Sequence, residues 1–420
     1  MILLLKYFSS IVIFGQLFSN VFCVKNILLI VVDDLRPASG CYNDKNAYTP
    51  HIDELAANSY VFTRAFAQQA LCAPSRNSFL TSRRPDSLLL YDFYSYWRHV
   101  VGNFTTLPQF FKERGYVTKS IGKVFHPGIS SNNSDDQPYS WSEPPYHPAT
   151  ERYKEWPVCG AGHRNLVCPV YTDLQPGGTL PDLQSVAEAK RFVASRAEAR
   201  GSASSRPFLL AVGFHKPHVP LKFPKRFLDY HPLENVTLPD NRQRPYGSPT
   251  VAWNPWNDLR ERDDIAKLKL LFPFQPMPVD WMKRIIQSYN AAVTYIDELV
   301  GELLLTLENE GLDNNTIVAL IGDHGWSLGE HGEWSKFSNY EVATRVPFIL
   351  KVPQLQQKGK HLNQEQKDQD LWIQKRKSEQ GLHTGQKKLE QQKQEQKDQD
   401  LGIQKRKSEE GLLTGQKKLE

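Results

Sequence analysis

Four short apolar runs constrain the fold more than any other feature of the chain. Asn26-Ile27-Leu28-Leu29-Ile30-Val31-Val32 ends in Asp33-Asp34. Pro207-Phe208-Leu209-Leu210-Ala211-Val212-Gly213 is followed by His215-Lys216-Pro217-His218, and Thr316-Ile317-Val318-Ala319-Leu320-Ile321 by Gly322-Asp323-His324. Residues 346–352 form the fourth run. A run that is apolar on both faces predicts a strand buried in a parallel sheet. Ligands of open α/β sheets gather beyond the carboxyl ends of the strands. Three of these runs carry acidic residues or histidine there. The expectation is an α/β fold with a mostly parallel central sheet and a site at its strand ends.

Helices are predicted between the runs. Residues 106–114 read as a capped helix stopped by Gly115. In residues 283–309, Ile285, Tyr289, Ala292, Ile296, Leu299, Leu303 and Leu307 advance by three or four, which predicts a helix with a packed face. Residues 127–181 are rich in Pro, Ser and Asn and read as a long loop of the kind that covers a site. Residues 117–121 read as a further short strand.

The 420 residues divide by composition near Pro353. The segment 24–353 has the aromatic and aliphatic content of a domain. In 354–420, Glu365-Gln366-Lys367-Asp368-Gln369-Asp370-Leu371 recurs as Glu395-Gln396-Lys397-Asp398-Gln399-Asp400-Leu401. Leu and Ile are too sparse there to bury much area, so a disordered or fluctuating tail is expected. Residues 1–23 read as a cleaved signal peptide, the other reading being a membrane anchor, which Ser9, Ser10 and Gln16 disfavour. No later segment is apolar enough to span a bilayer. Sequons at Asn103, Asn132, Asn235 and Asn314 fit passage through the secretory pathway. The net charge of +5 is diffuse and gives no argument for nucleic acid. Among five cysteines, Cys23 leaves with the signal, Cys159 and Cys168 could close a short disulfide, and Cys41 would stay free.

The chemistry-bearing residues cluster around the strand ends. Adjacent carboxylates such as Asp33 and Asp34 repel unless a cation or a proton lies between them. A solvated turn is the other reading. Asp323 and His324 supply a second half-site. Carboxylates suit a hard cation such as Ca²⁺, while histidine would also suit a transition metal, so these residues alone leave the ion open. Lys123, His126, His218 and Lys336 could converge on one anion. Cys72 precedes Arg76 by four residues. A helix beginning at Ser75 would set Cys72 just before an N-terminus that favours anions. A buried inert thiol is the alternative.

Cys72-Ala73-Pro74-Ser75-Arg76 resembles the signature of the sulfatase family. Val32-Asp33-Asp34-Leu35-Arg36-Pro37, Gly122-Lys123-Val124-Phe125-His126-Pro127-Gly128, His215-Lys216-Pro217-His218 and Gly322-Asp323-His324-Gly325-Trp326 carry the resemblance further. Tyr91-Asp92-Phe93 and Ser95-Tyr96-Trp97-Arg98 are similar to its iduronate-2-sulfatase branch. The resemblance implies an alkaline-phosphatase-like fold, and Cys72 oxidised to formylglycine by the formylglycine-generating enzyme. It implies one Ca²⁺ held by Asp33, Asp34, Asp323 and His324 with residue 72. Arg76, Lys123 and His126 would hold the hydrated aldehyde, and His218 and Lys336 would contact the sulfate. The implied substrate is the 2-O-sulfate of iduronate in heparan and dermatan sulfate, a sulfated glycosaminoglycan, in the lysosome or outside the cell. The resemblance stops near Pro353, so the catalytic domain is expected to be truncated relative to the family. Two other readings stay open: an inactive paralogue or glycan-binding remnant, and a phosphate or phosphonate ester hydrolase.

Overall fold

The computed structural model describes residues 25–159, 162–202, 205–271 and 275–353. These all belong to the first of two compact units, Met1–Lys360. The signal segment 1–23, with Cys23, and the tail 354–420 lie outside the described residues.

The strands are β1 (Asn26–Val32), β2 (Tyr60–Phe66), β3 (Val117–Gly122), β4 (Val167–Val170), β5 (Phe208–Phe214), β6 (Leu221–Pro224), β7 (Thr316–Gly322), β8 (Ser327–Leu328), β9 (Trp334–Ser335) and β10 (Arg345–Lys351). Six form the central sheet in the order β2-β10-β7-β1-β5-β3. β1 lies between β5 and β7, parallel to both, and β3 is parallel to β5. The fourth apolar run departs from the parallel expectation. β10 runs antiparallel to β7 and to β2. The chain returns from β7 to β10 without a long crossover helix, and only a crossover can make neighbouring strands parallel.

The principal helices are α1 (Pro50–Ala57), α2 (Cys72–Thr81), α3 (Leu107–Lys112), α4 (Pro181–Glu198) and α5 (Val279–Asn309). α5 begins four residues before the predicted start, directly after Pro278 and with Asp280 in its first turn. α3 is shorter than predicted. The Thr106 hydroxyl accepts from the Gln109 amide at 3.2 Å, and the chain turns at Gly115 with φ 85°. The stretch 127–181 is mostly irregular, with β4 and short 3₁₀ turns inside it. Cys159 and Cys168 form a disulfide, and Cys41 is free.

Two apolar layers cover the two faces of the sheet. Leu28, Ile30 and Val32 of β1 pack with Ile285, Tyr289, Ile296 and Leu299 of α5 and with Val186 and Val193 of α4. Leu29 and Val31, pointing the other way, pack with Leu80, Trp97, Phe125 and Trp141. This two-sided burial is what makes β1 a continuous apolar run. Among the described residues no helix is long and apolar enough to cross a membrane.

Candidate active site

Asp33 and Asp34 emerge where β1 ends, Asp323 and His324 where the adjacent β7 ends, and Lys123 where β3 ends. Parallel alignment therefore brings side chains from distant parts of the chain to one edge. The Asp34 amide donates to Asp323 Oδ1 at 2.9 Å, across 289 residues of sequence. Asp34 holds φ 59°, and its carbonyl accepts from the Tyr289 hydroxyl of α5 at 2.7 Å. Two glycines let β3 and β5 approach closely. A Cβ on Gly213 would stand 2.0 Å from the Lys123 carbonyl, and one on Gly122 would stand 2.2 Å from the Gly213 carbonyl.

Cys72 is the first residue of α2 rather than a residue preceding it. The helix starts three residues earlier than the Ser75 start expected, because Leu71 is already extended and the Ser75 amide donates to the Leu71 carbonyl at 3.0 Å. The Ser75 hydroxyl also donates to the Asp323 carbonyl, tying α2 to the end of β7. Cys72 is 1% exposed. Its sulfur lies 3.2 Å from Lys336 Nζ, 3.4 Å from His324 Nε2, 3.7 Å from Lys123 Nζ and 3.9 Å from Asp34 Oδ1.

Arg76, one turn along α2, is wholly buried. Its Nε donates to Asp323 Oδ2 at 2.9 Å, its Nη2 to Asp33 Oδ1 at 2.8 Å, and its Nη1 to the Lys123 and Val124 carbonyls. Lys123 Nζ is 2.5 Å from Asp33 Oδ2, and Lys336 Nζ is 3.1 Å from Asp34 Oδ1. Burial opposes ionisation of Asp33, but Lys123 and Arg76 outweigh it and hold its carboxyl well below the usual carboxylate range. Burial opposes ionisation of Asp34 as well, but Lys336 and His324 outweigh it and lower its pKa. Burial prevails at Asp323 and raises it.

His218 Nδ1 faces the Val219 carbonyl at 2.6 Å, and its Nε2 is 4.0 Å from Asp34 Oδ2. A carbonyl can only accept, so Nδ1 carries the proton. Burial holds this imidazole well below its ordinary pKa. His126 stands apart from the other expected site residues. Its ring packs on Phe93 with centroids 4.6 Å apart, and its buried Nδ1 has no hydrogen-bond partner. The expected convergence of four basic groups thus brings together Lys123, Lys336 and His218, with His126 beside them.

Ligand-type atoms of Asp33, Asp34, Cys72, Asp323 and His324 all lie within 4.8 Å of one another, and all five residues are buried. The set fits a divalent cation. The His324 ring donates from Nδ1 to the Gly325 carbonyl at 2.8 Å, which turns Nε2 towards Asp34 Oδ1 at 3.1 Å. Burial alone would lower the His324 pKa, yet Asp323 and Asp34 raise it well above its ordinary value, so this pocket favours positive charge.

Three supporting residues were not legible as such. Asp182, at the start of α4, accepts from the His215 and Lys216 amides at 2.7 and 3.1 Å and braces the His218 loop. Lys216 Nζ donates to the His218 and Pro220 carbonyls. Tyr289 looks in sequence like one more core residue of α5. The only sequence signal for Asp182 is its place after Pro181 at a helix start.

The sulfatase family profile matches residues 25–373. The chain belongs to the sulfatase family. It is 56% identical over 332 residues to mouse iduronate 2-sulfatase and 55% identical over 332 residues to the human protein. Each match takes in 78% of this chain, which spans 59% of the mouse protein's length and 60% of the human protein's. The phosphonate monoester hydrolase of Agrobacterium radiobacter superposes with a TM-score of 0.58 at 20% identity, over 78% of this chain and 68% of that one. The fold of this sulfatase-family chain is the alkaline-phosphatase-like α/β fold that the family resemblance implied, on the mostly parallel sheet that the strand pattern anticipated.

Proposed function

We propose that this chain is a sulfuric ester hydrolase that removes the 2-O-sulfate of iduronate in heparan and dermatan sulfate. The carrying observation is the setting of Cys72. An inert buried cysteine lies among apolar side chains, whereas this sulfur has two ammonium groups, an imidazole and a carboxylate within 3.9 Å. The sugar preference is supported by the identity to the mouse and human proteins.

Residue 72, oxidised to formylglycine by the generating enzyme of the secretory pathway, would offer a hydrated aldehyde with one hydroxyl to attack sulfur and another to expel the sulfate. Ca²⁺, held by Asp33, Asp34, Asp323 and His324 with residue 72, would supply Lewis-acid polarisation. The other groups have roles that follow from their contacts. Arg76 fixes Asp33 and Asp323 against repulsion. Lys123 and Lys336 flank residue 72 and neutralise charge on the sulfuryl oxygens. Lys336 Nζ carries a proton for the departing sugar oxygen, and His218 Nε2, unprotonated at rest, can take one up. His126 would hydrogen-bond the hydrated aldehyde after a turn of its ring. The lysosome, reached through the secretory pathway, is the proposed place of action, with the extracellular space second.

Protein secreted from a eukaryotic host tests the reading. Mass spectrometry of the Cys72 peptide should find the aldehyde, and parallel assays should find aryl sulfate cleaved faster than aryl phosphate. A retained thiol with no turnover would make the chain an inactive relative, and faster phosphate release would make it a phosphohydrolase.

A further inference from the structure

Residues 149–155 form one wall beside the His218 loop, and their backbone is pinned from three sides. The Thr150 amide and hydroxyl donate to Gln184 Oε1 of α4 at 3.1 and 2.7 Å. Lys222 of β6 donates from Nζ to the Tyr153 and Lys154 carbonyls, both at 3.2 Å. Arg262 pairs with Glu155 at 2.6 Å. The side chain of Lys154 therefore springs from a fixed backbone.

The neighbouring cations are all engaged. Lys123 holds Asp33, Lys336 holds Asp34, Lys216 holds two carbonyls of the His218 loop, and Lys222 and Arg262 hold the wall itself. Among the described residues none forms a hydrogen bond or an ion pair with the Lys154 ammonium. That ammonium still belongs to the site electrostatically. Burial lowers its pKa first, and Lys123, Glu151, Asp33 and Lys336 are the charges it feels. His218 in turn feels Lys154. Between this wall and the His218 loop lies a notch of about 30 Å³, lined by Glu151, Lys154, Lys216, Pro220 and Lys222. That volume admits a few atoms, not a sugar ring. An unpaired cation on a rigid wall, beside a notch of this size, suits a small anionic substituent of a substrate whose sulfate lies at Cys72.

We propose that Lys154 binds the carboxylate of the sulfated uronic acid and thereby selects uronate sulfates over sulfate esters that lack a carboxylate. This rests on the sulfatase reading above, and it assigns to Lys154 substrate positioning rather than chemistry.

Two measurements test it. In steady state, Lys154→Gln should lower kcat/KM for a fluorogenic iduronide 2-sulfate about tenfold more than for a neutral aryl sulfate, mainly through KM, as loss of one charge-assisted contact implies. Lys154→Arg should restore most of the difference. Equal losses on both substrates would overturn the proposal. The second measurement needs no turnover. In a Cys72→Ala background, methyl iduronoside 2-sulfate and its carboxyl-reduced counterpart are titrated with and without Lys154→Gln. The substitution should weaken the carboxylate probe about tenfold and the reduced probe less than about twofold. Equal effects on the two probes, or no effect on either, would sink the assignment. A wild-type protein that cleaves no sulfate ester would refute the proposed function, and the two titrations would still decide the role of Lys154.

Discussion

Cys72 and Arg76 lie one turn apart on α2, and replacing them should have opposite consequences. Cys72→Ala removes one sulfur and leaves Lys123 and Lys336 paired with Asp33 and Asp34. Sulfate release should be abolished, while unfolding stability falls by only about 1 kcal/mol, read as a loss of roughly 1–2 °C in Tm. Arg76→Ala leaves Asp33 and Asp323 buried without their shared cation, so it should destabilise the fold by about 3–5 kcal/mol. Denaturant titration of the two variants checks both outcomes. A Cys72→Ala protein that still turns over would remove Cys72 from the chemistry. Asp33, Asp34, Asp323 and His324 were legible because charged side chains at strand ends have few structural reasons to be there, whereas Cys72 and Arg76, on a helix, were legible only through the family signature. Lys154 was not legible, since nothing in sequence separates it from a surface lysine. His126 was legible only by its place in the motif; its ring packs on Phe93 and its buried Nδ1 has no partner among the described residues.

α5 reaches beyond its own packing to hold α1. Asp297 accepts from the His51 and Ile52 amides at 3.2 and 2.7 Å, at the N-terminus of α1. Burial nonetheless raises its pKa to about 6. An unfolded aspartate titrates near pH ~3.9. Between about pH 4 and 6 the folded chain therefore keeps a proton that the unfolded chain has lost, and stability falls as pH rises through that window. Below it both states are protonated, and above it the loss is complete. Urea unfolding from pH 4 to 7 should show the wild type losing about 2 kcal/mol relative to Asp297→Asn. Parallel curves for the two proteins would show that Asp297 stays ionised. At this scale, strands buried on both faces announce themselves as apolar runs, as β1 and β5 do. β2 carries Thr63 and Arg64 on exposed positions at the sheet edge, so it gave no such run. α4 carries Gln, Glu, Lys and Arg along much of its length, and its apolar stripe of Val186, Ala189 and Val193 is too narrow to stand out.

The order of strands in the sheet could not be read from the runs. Hydrophobicity records that a strand is buried and not which strand lies beside it, and β1 pairs with segments from β5 and β7 far along the chain. Those pairings gather the acidic cluster, and the cluster should respond to a cation as a unit. Calcium at about a hundred times its dissociation constant should stabilise the whole protein by about 2.7 kcal/mol, reversibly on chelation. Asp323→Asn should remove most of that gain. Thermal unfolding with and without calcium decides, and an unchanged midpoint in the wild type would exclude the site. The same gathering also has a consequence in time. Cys72 and His324 are 252 residues apart, and at about 5–20 residues per second roughly 10–50 s pass between the synthesis of the one and of the other. During that interval the sulfur has no pocket to close over it. Any partner that must handle it has to act before the domain folds, because in the folded protein only 1% of Cys72 meets solvent.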